Sequence, residues 1–397
     1  MLGYVWVSLK RLINQPYKFF AYVGLTVLVF FLYFWRLDSL TKGLSQAELS
    51  ARAASNSLQT IVESPLNAPY HFLQYLLTHF TSTTAFYLRL PSAILAVVLM
   101  WAFYYLAKAW FGKIIGVLSA LIAASTPLVI LSARSATPGI LLLSPLALLA
   151  IYTWLEKPKT KTSVAWMALC LVAASTFYIP GGVWLVFGIL IFKRRRVAAA
   201  LSKISRRYKV LGLLISLLLI VPLVYGLAKH PSLIRAWLLI PSDWPSAVEG
   251  LSQLGWAVLA LTLQAPSPSD LIIGRLPILD AAQIILLIFG TYAMGRLARA
   301  KIYSLVFLIV LGLIASGLNH SPIYLMFSLA AIFMLVAAGL RYLFVEWRKV
   351  FPRNPIPKYL ALALMSILVG LHITYGLNYS LSAWPNTPST KSLYVLK

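Results

Sequence analysis

The sequence predicts an all-α polytopic membrane protein of about eleven transmembrane helices, counting one helix for each run of roughly 20 apolar residues. Three observations predict it. Hydrophobic residues make up 60% of the 397 and charged residues only 11%, against about 25% charged in a soluble domain. Mean hydropathy is +0.84, so a soluble core could not bury the apolar surface and lipid must act as solvent. The connections between apolar runs alternate between basic and comparatively poor in basic residues, as the positive-inside rule requires. A net charge of +25 would suggest nucleic acid in a soluble protein. Its placement in membrane loops excludes a nucleic-acid partner and points to membrane lipids instead.

The runs fall near 19–35, 91–111, 114–132, 138–155, 164–178, 181–192, 210–228, 277–295, 302–318, 322–341 and 359–375. The first is too long for a signal-peptide core of roughly 7–15 residues and no small-residue cleavage site follows, so it reads as a retained span. The fifth and sixth are short and share the break Tyr178-Ile179-Pro180-Gly181-Gly182. Residues 70–80 read as a further half-span. With the N-terminus inside, the inner segments hold 24 of the 34 basic residues: Lys10, Arg11 and Lys18, then Lys108 and Lys113, then Lys157, Lys159 and Lys161, then eight from Lys193 to Lys209, then Arg296, Arg299 and Lys301, and finally Arg341, Arg348, Lys349, Arg353 and Lys358. Seven of the nine acids then lie outside: Asp38, Glu48, Glu63, Asp243, Glu249, Asp270 and Asp280. The C-terminus comes out on the same side. Residues 1–375 form one transmembrane domain, with long outer segments at 37–69 and 229–276, and 376–397 is a short outer tail. A bacterial inner membrane is the expected location.

Any chemistry belongs to the outer segments. From Gln46 to Val62 the first loop is rich in Ala, Leu and Gln without Gly or Pro, which predicts an amphipathic helix on the membrane surface, ended by Pro65 and Pro69. Ser45-Gln46-Ala47-Glu48 matches a capping box, and Glu48 precedes Arg52 by four residues, an ion-pair spacing. Glu48 therefore reads as a cap or as a functional carboxylate, and Asp38 as a solvated interfacial charge or its partner. Arg134, in a short outer turn, either snorkels to headgroups or holds phosphate bidentately. Arg89 before Pro91 reads as an interface anchor or a second phosphate contact. His71, His79 and His320 show no sequence partner and read as structural unless a site gathers them. Trp237, Trp244 and Trp256 suggest an interface belt or an acceptor surface. Cys170, the only cysteine, lies within a span and reads as packing. No Cys/His spacing suggests a metal cluster, and no cofactor is required.

Tyr87-Leu88-Arg89-Leu90-Pro91-Ser92-Ala93-Ile94 opens a span. It is followed by Ala107 to Lys113, by Ala120 to Pro127, and by Ser132-Ala133-Arg134. Near the C-terminus come Asn319-His320-Ser321-Pro322-Ile323-Tyr324 and then Gly339-Leu340. This order resembles the GT-C glycosyltransferases of the protein O-mannosyltransferase and aminoarabinose-transferase type, clearest over residues 30–155, weaker to 345 and absent in the tail. The resemblance implies a many-span fold with surface helices in the first outer loop. It implies a polyprenyl-phosphate sugar donor and transfer to a lipid, glycan or protein acceptor on the extracytoplasmic face. Glu48 aligns with the second member of the family's Asp-Glu pair, and Ala47 stands where the Asp would. The implied roles are Glu48 or Asp38 as base, with a divalent cation possible beside them. Arg134, with Arg89 and His320, would hold the donor phosphate, and Arg52 and His71 would stand at the acceptor loop. Two other readings remain: a non-catalytic GT-C-like scaffold that binds lipid or a partner, and a transporter. Against the transporter, the spans carry almost no charge at mid-depth and no internal repeat is visible.

Overall fold

The computed structural model describes residues 16–81, 84–156, 162–265, 271–350 and 355–395. Lys10, Arg11, Lys157, Lys159, Lys161, Asp270 and Arg353 lie outside the described residues. In chain order the helices are α1 (Pro16–Tyr33), α2 (Gln46–Ala54), α3 (Leu58–Glu63), α4 (Ala68–Phe80), α5 (Ala85–Phe111), α6 (Lys113–Ser125) and α7 (Pro127–Ala133). A 3-10 turn, Pro138–Leu143, leads into α8 (Ser144–Leu155), followed by α9 (Thr162–Phe177), α10 (Gly182–Leu201), α11 (Arg206–Lys229), α12 (Leu233–Leu238) and α13 (Ala247–Thr262). The last are α14 (Ala281–Leu297), α15 (Arg299–Leu318), α16 (Leu325–Val350), α17 (Pro355–Leu377), α18 (Trp384–Asn386) and α19 (Pro388–Leu393).

Among the described residues, six helical stretches are long and apolar enough to cross a membrane, and seven if α6 and α7, bent by 67° at their junction, make one span. Four shorter apolar helices, Val23–Tyr33, Thr162–Phe177, Gly182–Phe192 and Ala281–Arg296, occupy the remaining runs read from the sequence. Every expected run thus has a helix at its core, and six or seven of them among the described residues reach the length and composition of a full crossing. The bend at 126–127 follows from Pro127, which cannot continue the hydrogen-bond ladder of α6. The expected surface helix over 46–62 is also two helices, α2 and α3. Ser55 closes the first, and Ser57 caps the second by accepting from the Thr60 amide.

α16 is the centre of the bundle: all sixteen residues from Leu325 to Leu340 are buried. Lipid supplies no hydrophobic drive between helices, so close approach comes from small residues. A Cβ on Gly290 would fall 1.8 Å from the Leu335 carbonyl oxygen, and one on Gly339 would fall 2.1 Å from that of Leu286. This lets α14 lie directly on α16. Asp280 caps α14, and His372 of α17 pairs through Nδ1 with its carboxyl group (2.5 Å) and through Nε2 with the Ile122 carbonyl (2.9 Å). Gln283 donates to Thr126 (2.8 Å), so this polar set pins the α6–α7 break to both helices.

α5 spans 27 residues, about 40 Å at roughly 1.5 Å per residue, and separates two chemically different ends. At its C-terminal end Lys301 lies 4.3 Å from the Trp110 ring centre and Arg341 donates to the Trp110 carbonyl, with the Arg196–Glu156 pair on the neighbouring helices. At its N-terminal end are Arg89, the first loop and the C-terminal segment. That segment is not a loose tail. α17 passes through a π-helical stretch, Asn378–Ala383, into α18, and α19 then folds back. Trp384 and Tyr394 are buried edge to face, 5.2 Å apart, against Leu131. Aromatics at 384 and 394 give the segment a face to bury, so the stretch expected as a short outer tail packs against the bundle.

Candidate functional site

The first loop is fastened by one carboxylate. Ser45 caps α2 and forms the expected capping box with Glu48. Glu48 is fully buried and does not pair with Arg52, which is half-buried four residues on. Its Oε1 accepts from Arg89 Nε (2.8 Å) and the Ala136 amide (2.8 Å). Its Oε2 accepts from Arg89 Nη2 (3.0 Å) and the Ser45 amide (3.1 Å). Arg89 also donates to the Leu37 and Gly43 carbonyls and to Thr41 Oγ1. Four donors occupy the carboxylate, so it has no free lone pair for a proton or a metal ion. Its physical effect is to clamp the first loop, α5 and the turn at 134–137 together.

Arg134 is equally committed. It donates to the carbonyls of Leu32 (3.3 Å), Trp35 (2.6 Å) and Arg36 (3.2 Å), capping the C-terminal end of α1 where carbonyl charge accumulates. Burial, with Arg89 and Arg36 nearby, lowers its guanidinium to about 10, so it remains a cation at neutral pH. Its Nε is buried without a partner. His71 is buried, pairs with Ser55 Oγ (2.9 Å), and is held down to about 4 by that burial. Ser55 donates to Gln74, and Gln74 to the Leu88 carbonyl, so the set ties α2, α4 and α5. Asp38 is exposed.

Beside this clamp opens a cavity of about 570 Å³. Ser45, Ala47, Asn67, Thr137, His320 and Tyr324 supply much of its wall. Ser135 and Tyr394 are shared with the small pocket that contains Glu48, Arg89 and Arg134. Asn67 takes a left-handed backbone (φ 57°) and donates its amide to the Tyr178 carbonyl (2.7 Å), closing the wall against the 178–182 break. His320 is also left-handed (φ 48°), and Gln253 of α13 donates through Nε2 to its Nε2 (3.1 Å). Among the described residues the cavity wall holds no carboxylate, lysine or arginine. Of the residues expected at a site, Glu48, Arg89 and Arg134 come together in the clamp and His320 stands on the cavity wall. Asp38, Arg52 and His71 line neither space. Sequence reasoning passed over Asn67, Gln253 and Tyr394. The only available signal was a buried-type aromatic in the tail.

Comparison with known proteins fits this arrangement. Residues 67–225 match the family model of dolichyl-phosphate-mannose-protein mannosyltransferases. No curated protein matches the sequence. Among solved structures, ArnT from Cupriavidus metallidurans in the apo state is similar with TM-score 0.57 and 13% identity, over 96% of this chain and 77% of that one. The same enzyme bound to undecaprenyl phosphate gives 0.56 and 13%, over 95% and 77%. The Archaeoglobus fulgidus oligosaccharyltransferase tethered with an acceptor peptide gives 0.53 and 14%, over 95% of this chain and 59% of that one. The chain has the GT-C fold that its sequence motifs resemble.

Proposed function

We propose that this GT-C-fold membrane protein is a glycosyltransferase that moves a sugar from a polyprenyl-phosphate donor to an acceptor on the extracytoplasmic face. The observation that carries the reading is the roomy, hydrogen-bonding cavity at the end of the bundle away from its basic connections. It lies in a fold whose solved example holds undecaprenyl phosphate. Neutral hydroxyl and amide groups on the wall suit the hydroxyls of a sugar. The phosphate of such a donor is already a good leaving group and needs no general acid, unlike a glycosidase alcohol. The remaining requirements are orientation and a group that takes the acceptor's proton.

In this reading Glu48, Arg89 and Arg134 hold together the elements that carry the wall rather than react, and the membrane anchors the polyprenyl chain. A cation held by Glu48 does not fit, because four hydrogen-bond donors already occupy its oxygens. The basic end faces the cytoplasm, so an impermeant maleimide should label Ala47→Cys in intact cells; labelling only after lysis would reverse the orientation. The functional test is sugar release from radiolabelled polyprenyl-phosphate sugars by the purified full chain. One polyprenyl phosphate per sugar transferred is expected. That no described residue of the wall carries a carboxylate favours a second reading, a binding scaffold. Retained polyprenyl-phosphate binding with no turnover of any donor would establish it instead.

A further inference from the structure

Moving a sugar onto a hydroxyl forms a bond from the acceptor oxygen to the anomeric carbon and breaks the bond from that carbon to phosphate. The electron pair leaves with the phosphate, and the acceptor proton must go to a base. The described cavity wall offers no carboxylate and no amine. Its titratable groups are the imidazole of His320 and the phenols of Tyr324 and Tyr394. A phenol with pKa near 10 is almost wholly protonated at neutral pH, whereas imidazole is the side chain whose charge changes between about pH 5 and 8.

We propose that His320, in place of a carboxylate, is the base that takes the acceptor's proton in this cavity. The inference rests on the transferase reading above. Two features of the site support it. His320 is exposed to the cavity on the turn between α15 and α16, held in a left-handed backbone that Asn, Asp and His adopt more readily than most residues. Its neighbour can serve both of its protonation states. Gln253 Nε2 donates to His320 Nε2, which places the neutral ring's proton on Nδ1. Gln253 Oε1 is buried without a hydrogen-bond partner. A half-turn of the amide presents that oxygen to the Nε2–H of an imidazolium, so protonation would satisfy a group that is otherwise orphaned. The other charged groups on this side of the packed elements are Glu249, one turn before Gln253 on α13, Arg235 on α12 and Asp243 between them, all exposed; the charges of α15 and α16 stand at the ends of those helices away from His320. Gln253 is a positioning residue here and His320 the catalytic one.

The test is the pH profile of transfer by the purified full chain with a radiolabelled polyprenyl-phosphate sugar, comparing wild type, His320→Asn and His320→Ala. Asn tolerates the left-handed backbone, so the first variant keeps the turn. Loss of a general base predicts a kcat lower by about 10²- to 10⁴-fold with donor KM little changed. The wild-type rate should fall as pH drops and the imidazole becomes protonated. That limb should vanish in His320→Asn, and free imidazole should restore rate to His320→Ala. If His320 instead binds the donor phosphate as a cation, the sign reverses: the rate falls as pH rises and the variants raise donor KM. That result overturns the proposal, as does unchanged kcat in His320→Asn. Absence of turnover in the wild type would overturn the transferase reading first and this inference with it.

Discussion

At the scale of single residues, burial separates the charges that hold the site together from those free to react. Glu48 and Arg89 are each no more than 3% exposed at the side chain and exchange two hydrogen bonds. Removing one member leaves the other charged and unpaired, which costs about 3–5 kcal/mol. Glu48→Ala should therefore lower the melting temperature in detergent sharply, and Glu48→Leu with Arg89→Met should recover much of the loss. A normal melt with lost turnover would restore Glu48 as the reacting group. His71 makes a prediction with a definite sign. Its folded value, about 4, lies below the ordinary imidazole value, so the unfolded state binds more protons at intermediate pH. The stability contributed by the neutral form is present above about pH 6.5 and is lost as pH falls toward about 4, on the order of 3 kcal/mol in all. A melting-temperature series over that window should slope for wild type and flatten for His71→Phe. Equal slopes would place the titration elsewhere. The capping box was legible from Ser45 and Glu48 because it is a four-residue pattern. The Glu48–Arg89 pair was not, since nothing local couples residues 41 apart.

At the scale of elements, the apolar runs announced the helices because lipid imposes both length and full internal hydrogen bonding. Their ends and bends were less visible. The Thr126–Pro127 break lay within one continuous apolar run, and the Ser55–Ser57 break depends on two serines that a helical pattern tolerates. The C-terminal segment hid most, because its role is tertiary. Trp384 and Tyr394 bury themselves against Leu131, and the Tyr379 hydroxyl accepts from the Ile273 amide (2.7 Å). Tyr394 is also part of the cavity wall. Ending the chain after Asn386 should open that wall. Maleimide labelling of Ala47→Cys should then accelerate by about tenfold or more, a change of roughly 1.4 kcal/mol in access. An unchanged rate would show that the segment does not shield the cavity.

At the scale of the whole molecule, one end of a helical bundle carries a cavity whose described wall has no carboxylate, lysine or arginine, and the opposite end carries most of the basic groups, with α5 and α16 running between them. The alternation of charge along the sequence made these two ends legible. The cavity itself was not, since its wall is assembled from residues near 45, 67, 135, 320 and 394 that meet only in the folded chain. Ordered motifs pointed to the GT-C fold; of the motif residues, Arg89 and Arg134 are committed to hydrogen bonds within the first-loop framework, while His320 stands on the cavity wall. The central claim is that transfer takes place in this cavity. It is tested most directly by filling it: Ala47→Trp, on the wall, against Ala53→Trp, exposed on the same helix, with turnover of a polyprenyl-phosphate sugar measured at matched melting temperature. Loss of turnover in Ala47→Trp alone, by about tenfold or more (at least 1.4 kcal/mol in barrier), is the predicted result, and equal turnover in the two variants would contradict the account.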